Sequence, residues 1–219
     1  MENASSEPRR GPFITFEGGD GVGKSTQIQR LAAMLRAEGH EVVVTREPGG
    51  SPGAETIRNL LVQGAADRWS PLAETLLVFA ARADHLQRTI NPARARGAIV
   101  LCDRFTDSTI AYQGVAGALG EDTIARLAEL VVSGDSPDLT IVLDAPSSHA
   151  LSRADGRGGD NRFESKGAEF QERVRQAFLK IAAHDSDRCV VVDSSAPVDD
   201  VAARIADIVR ERLGARLSS

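Results

Sequence analysis

The chain has 219 residues and a mass of 23.3 kDa, with 42% hydrophobic and 26% charged residues. That is ordinary globular usage and excludes a disordered chain. Its 26 Lys+Arg against 31 Asp+Glu leave a net charge of −5. A binder of nucleic-acid polymer would carry a basic excess, so no such partner is expected. No apolar run approaches the ~18 residues of a membrane span, so no membrane partner is expected either. Residues 1–11 are polar and lack the apolar middle of a signal peptide. They read as a flexible tail on a cytoplasmic protein, with residues 12–219 forming one domain. Cys102 and Cys189 each sit in an apolar run and suit small buried hydrophobes, with no metal or disulfide spacing.

Short β-branched runs alternate with helical patterns along the chain. The strand candidates are residues 13–16, 41–45, 98–102, 139–143 and 189–192. Their nearly continuous apolar character suits strands covered on both faces of a parallel sheet. The first helix carries Ile28, Leu31, Ala32 and Leu35 on one face and stops at Gly39. Two more helices are expected over 52–62 and from 71 to about 90, within an interval of about fifty residues that far exceeds a minimal crossover. A last helix runs over 198–213, with Val201, Ile205, Ile208, Val209 and Leu213 along it. The fold class is α/β, a doubly wound sheet of five parallel strands. Residues 146–163 are rich in Ser, Gly, Asp and Arg and cannot pack a core, so they read as a surface loop.

The first strand runs into Gly18-Gly19-Asp20-Gly21-Val22-Gly23-Lys24-Ser25, with Thr26 following in the helix. This is G-x-x-x-x-G-K-[ST] between a strand and an amphipathic helix, the setting of a phosphate cradle. Glycines let successive N–H groups turn inward toward phosphate oxygens at the positive end of a helix. Lys24 would reach the outer phosphates, and Ser25 would offer its hydroxyl to Mg²⁺. Residues 18–26 are therefore the candidate ATP site. A metal-side carboxylate should end a neighbouring strand, and both Asp103 and Asp144 fit by pattern. Asp103 is carried forward as the metal candidate with Ser25, although pattern alone does not choose. The Asn-Lys-x-Asp base reader of switch GTPases is absent, because the three lysines follow Gly, Ser and Leu.

Further motifs narrow the class. Thr45-Arg46-Glu47-Pro48-Gly49-Gly50 follows the second strand, and Phe79-Ala80-Ala81-Arg82 lies in the long helix. Asp103-Arg104-Phe105 follows the third strand and continues to Ser108 and Ala111-Tyr112-Gln113-Gly114. Together these motifs resemble the thymidylate kinase family from about Pro12 to the C-terminus. The resemblance implies a P-loop nucleoside monophosphate kinase fold, a homodimer, and phosphorylation of dTMP by ATP with Mg²⁺ on the way to dTTP. It implies that Arg46 and Arg104 hold the dTMP phosphate, with Glu47 beside them. It also implies that Phe79 stacks on thymine, Arg82 bonds a base carbonyl, and Ser108 and Gln113 complete the base site. Tyr112 would pack on the sugar, and Asp20 would bond the 3′-hydroxyl.

The chemistry needs no strong base, because the acceptor phosphate is already anionic. The difficulty is charge repulsion, which bidentate arginines relieve. Residues 46–97 would be the monophosphate-binding insertion and 146–163 the lid. Families of this type place a catalytic arginine in the cradle or in the lid. The cradle position here is Gly21, so Arg153, Arg157 and Arg162 of the lid are expected to supply it. The expected catalytic set is Lys24, Arg104, Arg153 and Arg157. Phe105 stands where relatives favour Tyr or His, and Asn161 where they often carry Asp. The loop 193–198 is a plausible adenine wall. Two rival readings are a deoxynucleoside kinase using Glu47 as base toward a 5′-hydroxyl, and a switch ATPase.

Overall fold

The computed structural model describes residues 10–65, 67–146 and 167–217. Five strands, β1 (Phe13–Glu17), β2 (Val42–Arg46), β3 (Ile99–Asp103), β4 (Leu139–Asp144) and β5 (Cys189–Asp193), form one sheet. Their order is β2-β3-β1-β4-β5, and every pairing is parallel. The helices are α1 (Lys24–Ala37), α2 (Pro52–Val62), α3 (Pro71–His85), α4 (Asn91–Ala95), α5 (Thr106–Thr109), α6 (Glu121–Val132), α7 (Ala168–His184) and α8 (Val198–Leu217). The strand ends agree with the sequence pattern to within a residue. The last helix runs four residues further than its apolar face suggested.

The pleat sorts the core onto two sides. Ile14 and Phe16 of β1 pack with Ile28, Leu31, Ile205 and Val209, filling the layer under α1 and α8. Phe13 points the other way, toward Leu86, Ile90, Val100 and Cys102. Because both faces are covered, the central strands show no hydrophobic alternation, which is why they read as continuous apolar runs.

Local chemistry sets the helix starts. Ser51 and Ser70 each accept a hydrogen bond from the backbone N–H three residues on. Each is followed by Pro at the first helical position, whose missing N–H costs nothing there. The long helix expected to reach about residue 90 is instead α3, then wide π-type turns over Leu86–Ile90, then α4.

At the N-terminal boundary, Arg10 and Gly11 do not behave as a loose tail. Arg10 bonds Asp135 at 2.8 Å, and the Gly11 N–H donates to the Arg94 carbonyl. Among the described residues no helix is long and apolar enough to cross a membrane.

Candidate active site

Phe16 of β1 is in register with Asp103 of β3, so the loop leaving β1 and the turn leaving β3 share one end of the sheet. Ligands of open α/β sheets bind at such carboxyl ends. Gly18 begins the loop with φ 125°, and a Cβ there would lie 2.3 Å from the Leu143 carbonyl oxygen. Only glycine lets the chain pass β4 so closely.

Lys24 is buried at the head of α1 and donates to the carbonyls of Gly18 at 3.1 Å and Gly19 at 2.6 Å. Burial, and then the positive Arg104, push its ammonium down to about 8. The Ser25 hydroxyl donates to Asp103 Oδ2 at 3.1 Å. Asp103 Oδ1 is buried with no hydrogen-bond partner among the described residues. Asp144, the other strand-end candidate, is held in a fork by Arg175 at 2.7 and 2.9 Å. The tertiary structure thus separates two carboxylates that the sequence pattern left equivalent.

Arg104 is the hub of the site. It adopts φ 69°, unusual for a side-chain-bearing residue. Its Nη1 donates to the Gly18 carbonyl and to Ser108 Oγ, each at 3.0 Å. Its Nη2 donates to Asp20 Oδ1 at 2.6 Å and to the Tyr112 hydroxyl at 3.2 Å. Tyr112 in turn donates to Asp20 Oδ2 at 3.1 Å. Burial opposes the charge on Asp20, but Arg104 and Lys24 outweigh it and hold its carboxyl below the usual range. Tyr112 and Gln113 reach the site from π-type turns over Ile110–Ala116, a widening common at functional sites. Gln113 Nε2 donates to buried Glu74 at 2.9 Å.

Under the turn, Glu17 accepts from the Phe105 N–H at 2.7 Å and from the Ser108 hydroxyl at 2.6 Å. Burial, and then the nearby Asp107, raise its carboxyl to about 7. Glu17 was not singled out from sequence. The only hint was a charged residue ending an otherwise apolar strand.

Across the cavity, Arg82 is 1% exposed. Its Nε donates to Glu47 Oε2 at 2.7 Å and its Nη2 to Thr109 at 2.9 Å. Its guanidinium lies 4.9 Å from the ring centroids of both Phe79 and Phe105. Nη1 of Arg82 is buried without a hydrogen-bond partner among the described residues.

The structure places Phe79 differently from its neighbour Val78. Its ring is buried behind Arg82 and does not line the cavity, whereas Val78 does. Phe79 and Val78 lie three and four residues before Arg82, both about one turn away, so spacing alone could not choose. Leu72 and Leu76, earlier on the same helix, are 49% and 47% exposed. Phe105, lacking the polar group expected from relatives, serves instead as the second aromatic face for Arg82.

The cavity between these elements measures about 300 Å³. It brings together Asp20, Lys24, Ser25, Arg46, Glu47, Arg82, Asp103, Arg104, Ser108, Tyr112 and Gln113. Arg46 is half-exposed at its edge and bonds both oxygens of Glu55 at 3.1 Å. Arg58 also lines the cavity, donating to the Pro48 carbonyl at 2.7 Å. Burial and then the neighbouring Arg46 weigh against its charge. It was missed from sequence because an arginine within a helix carries no motif. Arg153, Arg157 and Arg162 lie outside the described residues. No group of three or more His, Cys, Asp or Glu able to hold a metal occurs among the described residues.

Comparison with known proteins is consistent along most of the chain. The thymidylate kinase family model matches residues 16–205. A thymidylate kinase of Caulobacter vibrioides is 60% identical over 94% of this chain and 99% of its own length. One from a Bradyrhizobium species is 49% identical over 94% of this chain and 92% of its own. The crystal structure of thymidylate kinase from Ehrlichia chaffeensis superposes with a TM-score of 0.73 at 35% identity, covering 92% of this chain and 99% of that one. With its five parallel strands and a family match over most of its length, this chain belongs to the thymidylate kinase family.

Proposed function

We infer that this chain transfers the γ-phosphoryl group of ATP to the phosphate of dTMP, forming a new P–O bond to that phosphate and releasing ADP, so that dTDP is the product. The observation that carries the reading is that Arg82, whose buried Nη1 has no acceptor among the described residues, lines the same cavity as Asp20, Lys24 and Ser25 of the phosphate cradle. A buried donor without an acceptor costs free energy that a base carbonyl would recover. Arg46, Arg58 and Arg104 line that cavity too, and the acceptor phosphate would lie against them. Bidentate arginines there would cancel the repulsion between donor and acceptor anions. Asp20 and Tyr112, joined through Arg104, would meet the sugar. Val78 is the apolar wall for the base, with Ser108 and Gln113 on the opposite side.

Ser25 and Asp103 are the residues that would hold Mg²⁺, and the unpartnered Asp103 Oδ1 fits that role. Mg²⁺ ordinarily takes one or two protein groups with substrate phosphates and waters, so two ligands are enough. When bound, the ion would neutralise charge on the donor phosphates. The lid, residues 146–163, would supply Arg153 and Arg157 over the same phosphates. Residues 46–97 would form the acceptor side. The half-exposed Leu72 and Leu76, with Leu60 on the adjoining α2, favour burial against a second copy in a homodimer, and a cytoplasmic location suits the substrates.

A deoxynucleoside kinase would need Glu47 as a base toward a hydroxyl. Both Glu47 oxygens are already bound, by Arg82 and His85. The deciding experiment is a coupled ADP-release assay across nucleoside monophosphates and thymidine. ADP release with dTMP and none with thymidine is expected, and the reverse pattern overturns the reading. Arg153→Ala and Arg157→Ala should depress turnover by about 10³–10⁵ with much less effect on dTMP KM. Unchanged turnover in both would remove the lid from the mechanism.

A further inference from the structure

His85 has no part in the roles above, yet it is fully buried on α3 three residues beyond Arg82. Its Nδ1 lies 3.0 Å from Glu47 Oε1. A carboxylate oxygen accepts, so Nδ1 carries the hydrogen. Nε2 lies 2.7 Å from Thr45 Oγ1, whose hydroxyl can donate to it and so keep the hydrogen on Nδ1. The second Glu47 oxygen takes Arg82 Nε at 2.7 Å. A chain of hydrogen bonds therefore runs from Thr45 on β2 through His85 and Glu47 to Arg82, and ends at the unpaired Nη1. Gly50 keeps the space for it. A Cβ there would stand 2.3 Å from His85 Nε2 and 2.4 Å from Thr45 Oγ1.

A carboxylate gripped by one oxygen can swing, whereas one gripped by both is fixed in plane and angle. We propose that His85 is a positioning residue for base selection: by gripping Glu47 it locks the guanidinium of Arg82, which lines the cavity, so that this group meets a carbonyl oxygen of the pyrimidine and opposes an amino group at the same place. The proposal rests on the assignment of Arg82 to the base site. A donor facing a donor leaves both unpaired, and such mismatches separate substrates far better than added bulk does. If Arg82 could rotate, that penalty would fade and a 4-aminopyrimidine would be tolerated.

The test compares dTMP and dCMP as acceptors for the full-length wild type and for His85→Leu, His85→Gln and His85→Asn. Asparagine places an amide N–H where Nδ1 stands. Glutamine reaches the Nε2 position and leaves Glu47 without its donor. His85→Leu and His85→Gln should raise dTMP KM roughly tenfold or more, the loss expected when a charge-assisted bond is misplaced. They should also narrow the preference for dTMP over dCMP and leave kcat and ATP KM nearly unchanged. His85→Asn should restore both KM and preference.

Wild-type KM and preference in His85→Leu overturn the proposal. So does a His85→Asn variant with wild-type circular dichroism that is as impaired as His85→Leu. Should the leucine variant fail to fold, Thr45→Val against Thr45→Ser carries the same comparison from the other end of the chain. An Arg82→Lys variant with undiminished preference for dTMP would instead unseat the base-site assignment itself.

Discussion

Asp20 and Arg104 are joined at 2.6 Å across the mouth of the phosphate loop. The loop after β1 and the turn after β3 are thereby tied by an ion pair in the lining of the cavity. The pair is partly shielded from water, with side-chain exposures of 16% for Arg104 and 22% for Asp20. A pair in that setting is far less screened than one on the surface.

Arg104→Lys keeps the charge but loses the fork that reaches Gly18, Asp20, Ser108 and Tyr112 at once. We expect kcat/KM for dTMP to fall by about 10²–10³, as when one donor aimed at developing charge is removed. Steady-state kinetics with saturating ATP measure it. A loss smaller than about tenfold would mean that charge alone suffices there.

Burial, and then the neighbouring Arg46, disfavour the charge on Arg58, so an anion placed beside it relieves that cost. Arg58→Ala should therefore raise dTMP KM by roughly tenfold, the loss of one hydrogen bond to a charged group. ATP KM should stay as in the wild type. If both Michaelis constants rise together, Arg58 supports the fold of the cavity and not the acceptor phosphate.

The Glu47–Arg82 pair is buried on both sides, at 3% and 1% side-chain exposure. Arg82→Met strands the carboxylate and should cost about 3–5 kcal/mol of folding stability. Glu47→Met combined with Arg82→Met should recover part of that loss, because the stranded charge is gone. Urea unfolding of the three proteins checks the order. A double variant weaker than the single one contradicts it.

Glu17 carries a carboxyl raised from the ordinary 4.5 to about 7 by burial and then by Asp107. Between those two values the folded chain holds a proton that the unfolded chain has released. Stability tied to this group is therefore fully present below 4.5 and is lost as pH rises through about 7. Glu17→Gln mimics the protonated side chain and should flatten that decline. Urea midpoints taken from pH 5 to pH 8, estimated to bracket the titration, should converge at the acid end and diverge at the alkaline end. Parallel curves would show that Glu17 titrates elsewhere.

Much of this protein was legible in one dimension. The cradle is local: strand, glycines, Lys24, Ser25 and helix follow each other within a dozen or so residues, so their spacing alone states the chemistry. The five strands were legible because burial on both faces writes itself as unbroken apolar runs. Arg46 and Arg104 stood out because each follows a strand end. The tertiary structure decided the rest.

It paired Ser25 with Asp103 and gave Asp144 to Arg175, a residue far along the chain. It turned Val78 into the cavity and Phe79 behind Arg82, a matter of helix rotation that i+3 and i+4 spacing cannot resolve. It brought Arg58 and His85 to the site from the sides of helices, where no motif marks them. Sequence spacing records which residues lie on a strand end or in a tight loop, because those geometries are local. Which helix face turns inward, and which distant carboxylate finds which arginine, is set by how the elements pack against one another.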